Sequence, residues 1–360
     1  MRPPGLLILA STPPALIVLG AMLAGSPSEP PKITPEEAFR ADFDPLAAQQ
    51  AAASSAEHWH ATYNCVTCHT NGLFLVAGST TKALKEPYDR TRSFAHSYLK
   101  RYLEAGQTPA GQHGAVEGIA ATSAFLAIGE ARNGGSVSPE TLAALRHAVD
   151  RLDPTGHYAD WLTCDWPPYE VDHHFGTTLL LVALGSTPES FQTNLEIAPH
   201  LRNMRNWLTK NPPENAHQAG MCLWADATGG LALTDEQREQ YIRSCRTGQQ
   251  ADGGWSVLSI GGWLRPDGTP QIKDSEAYAT AFMIFALRQA GVPAEDEGIQ
   301  RGLTWLRANQ RASGRWFNRS PRRDRMHFLS NAATNFALLA FESCEQQKNE
   351  SPGQDQSSGS

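Results

Sequence analysis

Three hundred and sixty residues, 41% hydrophobic and 19% charged, describe a globular chain able to bury a sizeable core. A net charge of −7, with no block of lysines and arginines, sets nucleic acid aside as a partner. Six cysteines are too few for a disulfide scaffold, so only a spacing with chemical meaning earns one of them a role.

In chain order, residues 1–25 read as an export signal. Arg2 is followed by the apolar stretch from Ala15 to Ala24, too short to span a bilayer, and by small residues at Ala24, Gly25 and Ser26. The expected location is the periplasm, or the membrane surface if the signal stays uncleaved as an anchor. Residues 26–45 read as a Pro/Ser-rich linker, 46–345 as one folded domain, and 346–360 as a disordered polar tail. Cys65, Cys68 and His69 then form Cys-x-x-Cys-His, the attachment pattern of a c-type haem, with His69 as the iron ligand. Two other readings stay open for this stretch: a redox dithiol, and a zinc site completed by His58 or His60. Haem is the expected cofactor and zinc is not.

Between linker and tail, amphipathic helices alternate with Gly/Pro breaks, and strand-like alternation is nearly absent. Helices are expected over Thr91–Ala105, Pro139–Leu152, Pro199–Lys210, Thr234–Ser244 and Ile299–Asn309. More apolar segments lie between them and align on Thr70, Thr122, Thr177, Thr228, Thr280 and Thr334, at spacings of 52, 55, 51, 52 and 54 residues. So regular a period marks a repeat architecture. The expected fold is all-α: an (α/α)6 toroid of six helical hairpins, each an outer polar-faced helix and an inner apolar one. Before five of the threonines stands a small residue, Ala121, Gly176, Ala227, Ala279 or Ala333, whereas the first has His69. The alignment puts the Cys-x-x-Cys-His motif in inner helix one.

The connections carry a further signature. Arg301, Gly302, Trp305, Leu306, Gln310, Gly314 and Trp316 fall in a pattern that resembles the QW repeat of squalene-hopene cyclases, and Gln249, Gly253 and Trp255 make a second, partial copy. The chain from about Leu46 to Cys344 thus resembles the terpenoid cyclase and protein prenyltransferase superfamily. Within it, the chain is similar to small exported bacterial squalene-cyclase-like proteins that carry Cys-x-x-Cys-His. The resemblance implies a toroid with a central apolar cavity. The Asp-x-Asp-Asp proton donor of triterpene cyclases is missing; its nearest counterpart is Glu170, Asp172 and His173, with Asp172 as donor and His173 as neighbour. Asp274, Glu276, Tyr278 and Thr280 resemble part of the prenyltransferase zinc region, but its Cys is absent and no zinc site is carried over.

Asp172 reads equally as the N-cap of the helix that follows. Glu117 and Cys65 fall at positions equivalent to Asp172 in units two and one. His113, His173, His174, Met221, Met326 and His327 are expected on the His69 rim as candidates for a second axial ligand, with His113, Met326 and His327 nearest. Phe74, Phe125, Phe282, Phe285, Phe336 and Phe341 form a stripe that lines either a pocket or an ordinary core. Three functions follow. The first is a haem c toroid that binds or redox-processes an apolar isoprenoid-like molecule, with an electron-transfer partner. The second is a haem-free cyclase or isomerase using Asp172. The third is a non-catalytic binding or electron-transfer module.

Overall fold

The computed structural model describes residue 30 and residues 32–105, 115–161, 166–324 and 326–350. Residues 1–25, expected as an export signal, and His113 and Cys164 lie outside these residues.

Six helical hairpins follow one another. They pair α1 (Pro45–Tyr63) with α2 (Asn71–Ala77), α3 (Lys85–Ala105) with α4 (Ala115–Gly134), and α5 (Pro139–Val149) with α6 (His173–Gly185). A short α7 (Glu189–Gln192) precedes α8 (Ala198–Lys210), which pairs with α9 (Ala216–Ala227). Then α10 (Asp235–Thr247) pairs with α12 (Ala277–Gln289) across a short α11 (Val257–Ile260), and α13 (Glu297–Ala308) with α14 (Leu329–Glu350). The second members touch in the order α2, α4, α6, α9, α12, α14, and α14 returns to α2. This is the expected (α/α)6 toroid. Among the described residues there are no strands, only two isolated bridges.

Residue pattern decides which helix goes where. In α13 the buried residues are Ile299, Gly302, Leu303 and Leu306, one stripe at helical spacing, and α8 likewise buries Leu201, Met204 and Leu208. In α12 every residue from Ala277 to Arg288 is buried, as a helix enclosed on all sides requires. The last helix runs to Glu350, five residues into the polar stretch that was expected to start the tail.

Two details of the expected repeat frame are corrected. Thr228 does not open an inner helix; it is the C-cap of α9, followed by Gly229 and Gly230, which disfavour helix. The Cys-x-x-Cys-His motif is not in inner helix one either. Cys65–Thr70 form a loop, and Thr70 is the N-cap of α2. Thr177, Thr280 and Thr334, by contrast, sit inside α6, α12 and α14. The first inner helix lacks the opening turns that its siblings have.

The QW turns join consecutive units. Gln249 Nε2 donates to the carbonyl of Gly253 in its own turn (2.9 Å) and to that of Gly298 at the start of α13 (2.7 Å). Gln310 repeats this, donating to Gly314 (2.9 Å) and to the carbonyl of Asp44, the N-cap of α1, while the Asp44 N–H donates back to Gln310 Oε1 (2.7 Å). The motif that links unit five to unit six therefore links unit six to unit one. Trp255 and Trp316 each donate their indole N–H to the carbonyl ten residues earlier, Cys245 and Leu306. Their backbone N–H groups go to the hydroxyls of Thr280 and Thr334, which explains two of the period-marking threonines.

Unit three holds a third copy that the sequence hides. Tyr158 Oη donates to the carbonyl of Ala148, again ten residues back, so tyrosine replaces tryptophan. Gly156, Gly253 and Gly314 have φ of +100°, +94° and +86°. A Cβ on them would lie 2.3, 2.7 and 2.3 Å from Asn203, Arg301 and Ala47 of the next outer helix. Gly314→Ala and Gly156→Ala are each expected to lose about 1–3 kcal/mol or more of stability. Gly135→Ala, at φ +73° with nothing near its Cβ, should lose less. Urea unfolding of the three variants measures the difference.

Candidate functional site

Asn71, fully buried as the first residue of α2, builds the Cys65–Thr70 loop. Its Oδ1 accepts from the Thr67 N–H (3.0 Å) and its Nδ2 donates to the Cys65 carbonyl (2.8 Å), so one amide closes the loop at both ends. The Gly72 N–H donates to the Thr67 carbonyl (3.1 Å), an approach so close that a Cβ there would sit 2.6 Å from that oxygen. Asn64, in the left-handed region at φ +51°, turns the chain out of α1. Neither Cys65 nor Cys68 is in a disulfide. Cys65 is partly covered and burial raises its pKa, opposed by the nearby Trp59 indole. Cys68 is 4% exposed.

His69 packs its ring parallel to Phe328 (centroids 5.3 Å, 7°) and edge-on to Trp59 (4.7 Å, 87°). Desolvation drops its pKa to about 3, so the imidazole is neutral at physiological pH. Its Nδ1 is 2.7 Å from Thr70 Oγ1, which also accepts from Asn331 Nδ2 of α14 (3.1 Å). With Nδ1 so held, Nε2 is the nitrogen left for a ligand.

The Trp166–His174 stretch reaches the same place. Trp166 lies 6.2 Å from Phe328, and Arg322 and Arg323 lie over its ring at 5.7 and 5.6 Å. Tyr169 meets Tyr278 edge-on (6.0 Å), and both lie near Cys68, so the loop borders the interior of the ring. That interior is aromatic. His217 Nε2 bonds Tyr278 Oη at 2.8 Å between Phe175, Phe282 and Trp263, and Phe282, Phe285 and Phe336 pack beyond it. Burial takes His217 to about 3.

Asp172 is the N-cap of α6: Oδ1 accepts from the Phe175 N–H (2.9 Å) and Oδ2 from Gln218 Nε2 of α9 (3.0 Å). Desolvation raises its pKa, with those bonds opposing. His173 turns away, its Nδ1 on the Tyr158 carbonyl (2.8 Å) and its ring against His157 (5.2 Å), which stacks on Trp207 of the outer layer. Successive residues at a helix start diverge in direction, so Asp172 and His173 do not form a pair facing the interior. Glu170 is half-buried on the same approach.

The axial candidates disperse. Met221 is buried mid-helix in α9, His174 packs toward Cys222 (4.0 Å) and falls to about 4 by burial, and His327 accepts from the Ser320 N–H (3.1 Å). Met326 is 37% exposed. The set Cys65, Cys68, His69 with His58 or His60 is not gathered: among the described residues no three His, Cys, Asp or Glu side chains are placed to hold a metal ion, and His60 stacks on Phe94. The phenylalanine stripe splits, with Phe74 in a separate cluster under Leu84 and Phe341 against Phe43 and Trp316.

The donor types on the loop are the ones haem c takes. Two unbridged thiols and a neutral imidazole share one pinned loop, and Phe328 covers the imidazole's face rather than its Nε2 edge. The Trp59 indole lies against Cys65, and its N–H bonds to the thiol and opposes the rise in its pKa.

Glu276, not singled out by the sequence as an acid, is the N-cap of α12 and 7% exposed. It accepts from the Val257 N–H (3.1 Å) and Asn318 Nδ2 (3.2 Å) beside a pocket of about 200 Å³, and desolvation lifts it to about 7. His217 gave no pattern to find, and Glu276 stood only in the partial prenyltransferase likeness; both owe their state to burial.

No protein-family model matches the chain, and no curated protein matches it. Among solved structures, a wild-type glycosidase aligns with a TM-score of 0.53 at 14% identity, over 83% of this chain and 98% of its own. A glycosidase variant in complex with glucose gives 0.52 at 14% over the same shares. The type II terpene cyclase MstE from Scytonema gives 0.47 at 13%, also over 83% and 98%. At these identities the glycosidases share the helical toroid fold alone, and the MstE alignment is too loose to add to it. No helix among the described residues is long and apolar enough to cross a membrane.

Two outcomes test the site. Asn71→Ala is expected to lose about 1–3 kcal/mol and to expose Cys68 to alkylation, read by urea unfolding and by mass spectrometry after iodoacetamide. For Glu276, the folded carboxyl holds its proton more tightly than the ordinary value of 4.5, so its contribution to stability is greatest below that pH and is lost as pH rises to about 7. Wild type should lose on the order of 3 kcal/mol over this window relative to Glu276→Gln, whose unfolding free energy lacks that slope.

Proposed function

We propose that the chain is an exported toroid that carries haem c on the Cys65–His69 loop and binds or redox-processes an apolar, isoprenoid-like ligand in its aromatic interior. The observation that carries the reading is the loop itself: Asn71 and Gly72 clamp two thiols and a neutral imidazole beside the ring's interior. In this reading Cys65 and Cys68 would hold the haem by thioethers and His69 would be its protein ligand to iron, with Thr70 and Asn331 orienting the imidazole. Bound there, haem c supplies one-electron chemistry. Tyr169, Phe175, Tyr278, Phe282 and Phe336 supply a largely apolar wall for a ligand, and burial keeps water from it. Residues 1–25 serve export to the periplasm, cleaved or kept as an anchor, where an electron-transfer partner is met.

A second reading, a cyclase or isomerase with Asp172 as proton donor and Glu170 beside it, draws on the raised pKa of Asp172. Both Asp172 oxygens already accept N–H bonds, however, which favours capping. The likeness to glycosidase folds does not choose between chemistries.

Expression of the full chain with haem c maturation machinery is expected to give a Soret band that survives acid-acetone extraction. The band should vanish in Cys65→Ser/Cys68→Ser. A colourless wild type under these conditions sinks the haem reading. For the cyclase reading, product formation from squalene-like substrates unaffected by Asp172→Asn disposes of Asp172 as the acid.

A further inference from the structure

Aromatic contact with His69 continues outward along α1. The Trp59 indole, 4.7 Å from the imidazole, lies 4.4 Å from the Tyr63 ring. Tyr63 is one helical turn further on, at the end of α1, and is 49% exposed. Three rings, each touching the next, thus lead from the loop to solvent. Trp59 is unusual in its helix, because the other buried residues of α1 are Ala48, Ala52, Ala53, Ser55 and Ala56. Its indole N–H bonds to the Cys65 thiol, which sets the ring against the loop as well as against His69 and Tyr63.

We propose that Trp59 and Tyr63 are the electron route between the group held by the Cys65–His69 loop and a one-electron carrier that meets the protein at the exposed end of α1. The inference rests on the haem reading above. One electron enters at His69 from the reduced group and leaves at Tyr63, reducing the carrier by one. Tunnelling through the touching rings breaks no bond and leaves Trp59 and Tyr63 with their protons. Tunnelling falls steeply with every ångström of gap, so ring-to-ring contact, rather than the identity of the carrier, sets the rate.

The test uses the full haem-loaded chain with a ruthenium photosensitiser tethered through Arg101→Cys. Arg101 bonds Asn64 Oδ1 (3.1 Å), so the tether sits beside Tyr63. Flash photolysis then reads electron transfer between the haem and the label. The rate is expected to fall by an order of magnitude or more in Trp59→Leu and several-fold in Tyr63→Leu, and to recover in Tyr63→Trp. Tyr63 does not touch His69, so its variants should keep the wild-type Soret position and midpoint potential. This separates a broken route from a disturbed haem site, and it stands even if Trp59→Leu fails to fold. Rates unchanged in Tyr63→Leu overturn the route while leaving the haem reading intact. A colourless wild type overturns both.

Discussion

Everything in this molecule depends on the grip of Gln310 on Asp44. A chain of helical hairpins can stack indefinitely as an open solenoid, and each end then leaves an apolar face unburied. Here the reciprocal bonds between Gln310 and Asp44 place the start of α1 against the end of unit six, and α14 packs on α2. Asp44 is at once the N-cap of α1 and the acceptor that completes the ring, so helix initiation and ring closure use one residue. The residues just ahead reinforce the joint. Glu37 Oε1 accepts from the Ser313 N–H (2.6 Å), and Phe43 packs on Phe341 and Trp316. A segment expected to be a linker is therefore part of the closure.

Closure also determines where chemistry is available. The inner helices are buried on all sides through most of their length, and polar side chains collect where they begin. Unit one departs furthest, exchanging the opening turns of its helix for a loop with two thiols and an imidazole. Neighbouring units supply its cover: Phe328 and Asn331 from unit six, Trp166 and Tyr169 from the approach to α6.

The fold was legible because its period has a physical cause. Thr280 and Thr334 recur in register since each hydroxyl receives the backbone N–H of its unit's QW tryptophan. The same letter misled at Thr228, where a threonine followed by two glycines closes a helix. Alignment put Cys65–Thr70 inside a helix because it cannot see the bonds of Asn71 that hold these residues out of one. The third interlocking turn went unread because tyrosine serves for tryptophan at residue 158 and leucine stands for glutamine at residue 152. For the site, the donors were legible as a motif. Their surroundings were not: Trp59, Phe328 and Trp166 come together from three distant parts of the chain. Asp172 and His173 looked like partners in sequence, and helix geometry separates them.

The cover over the loop has a further consequence, for the order in which the protein is made. Cys68 is almost sealed in the finished ring, and His69 lies under Phe328 of the last hairpin. The motif, however, belongs to the first hairpin and emerges from synthesis some two hundred and sixty residues before Phe328. The cover over Cys68 favours covalent attachment in that interval, while the ring is still open, and docking of the final hairpin then encloses what has been attached.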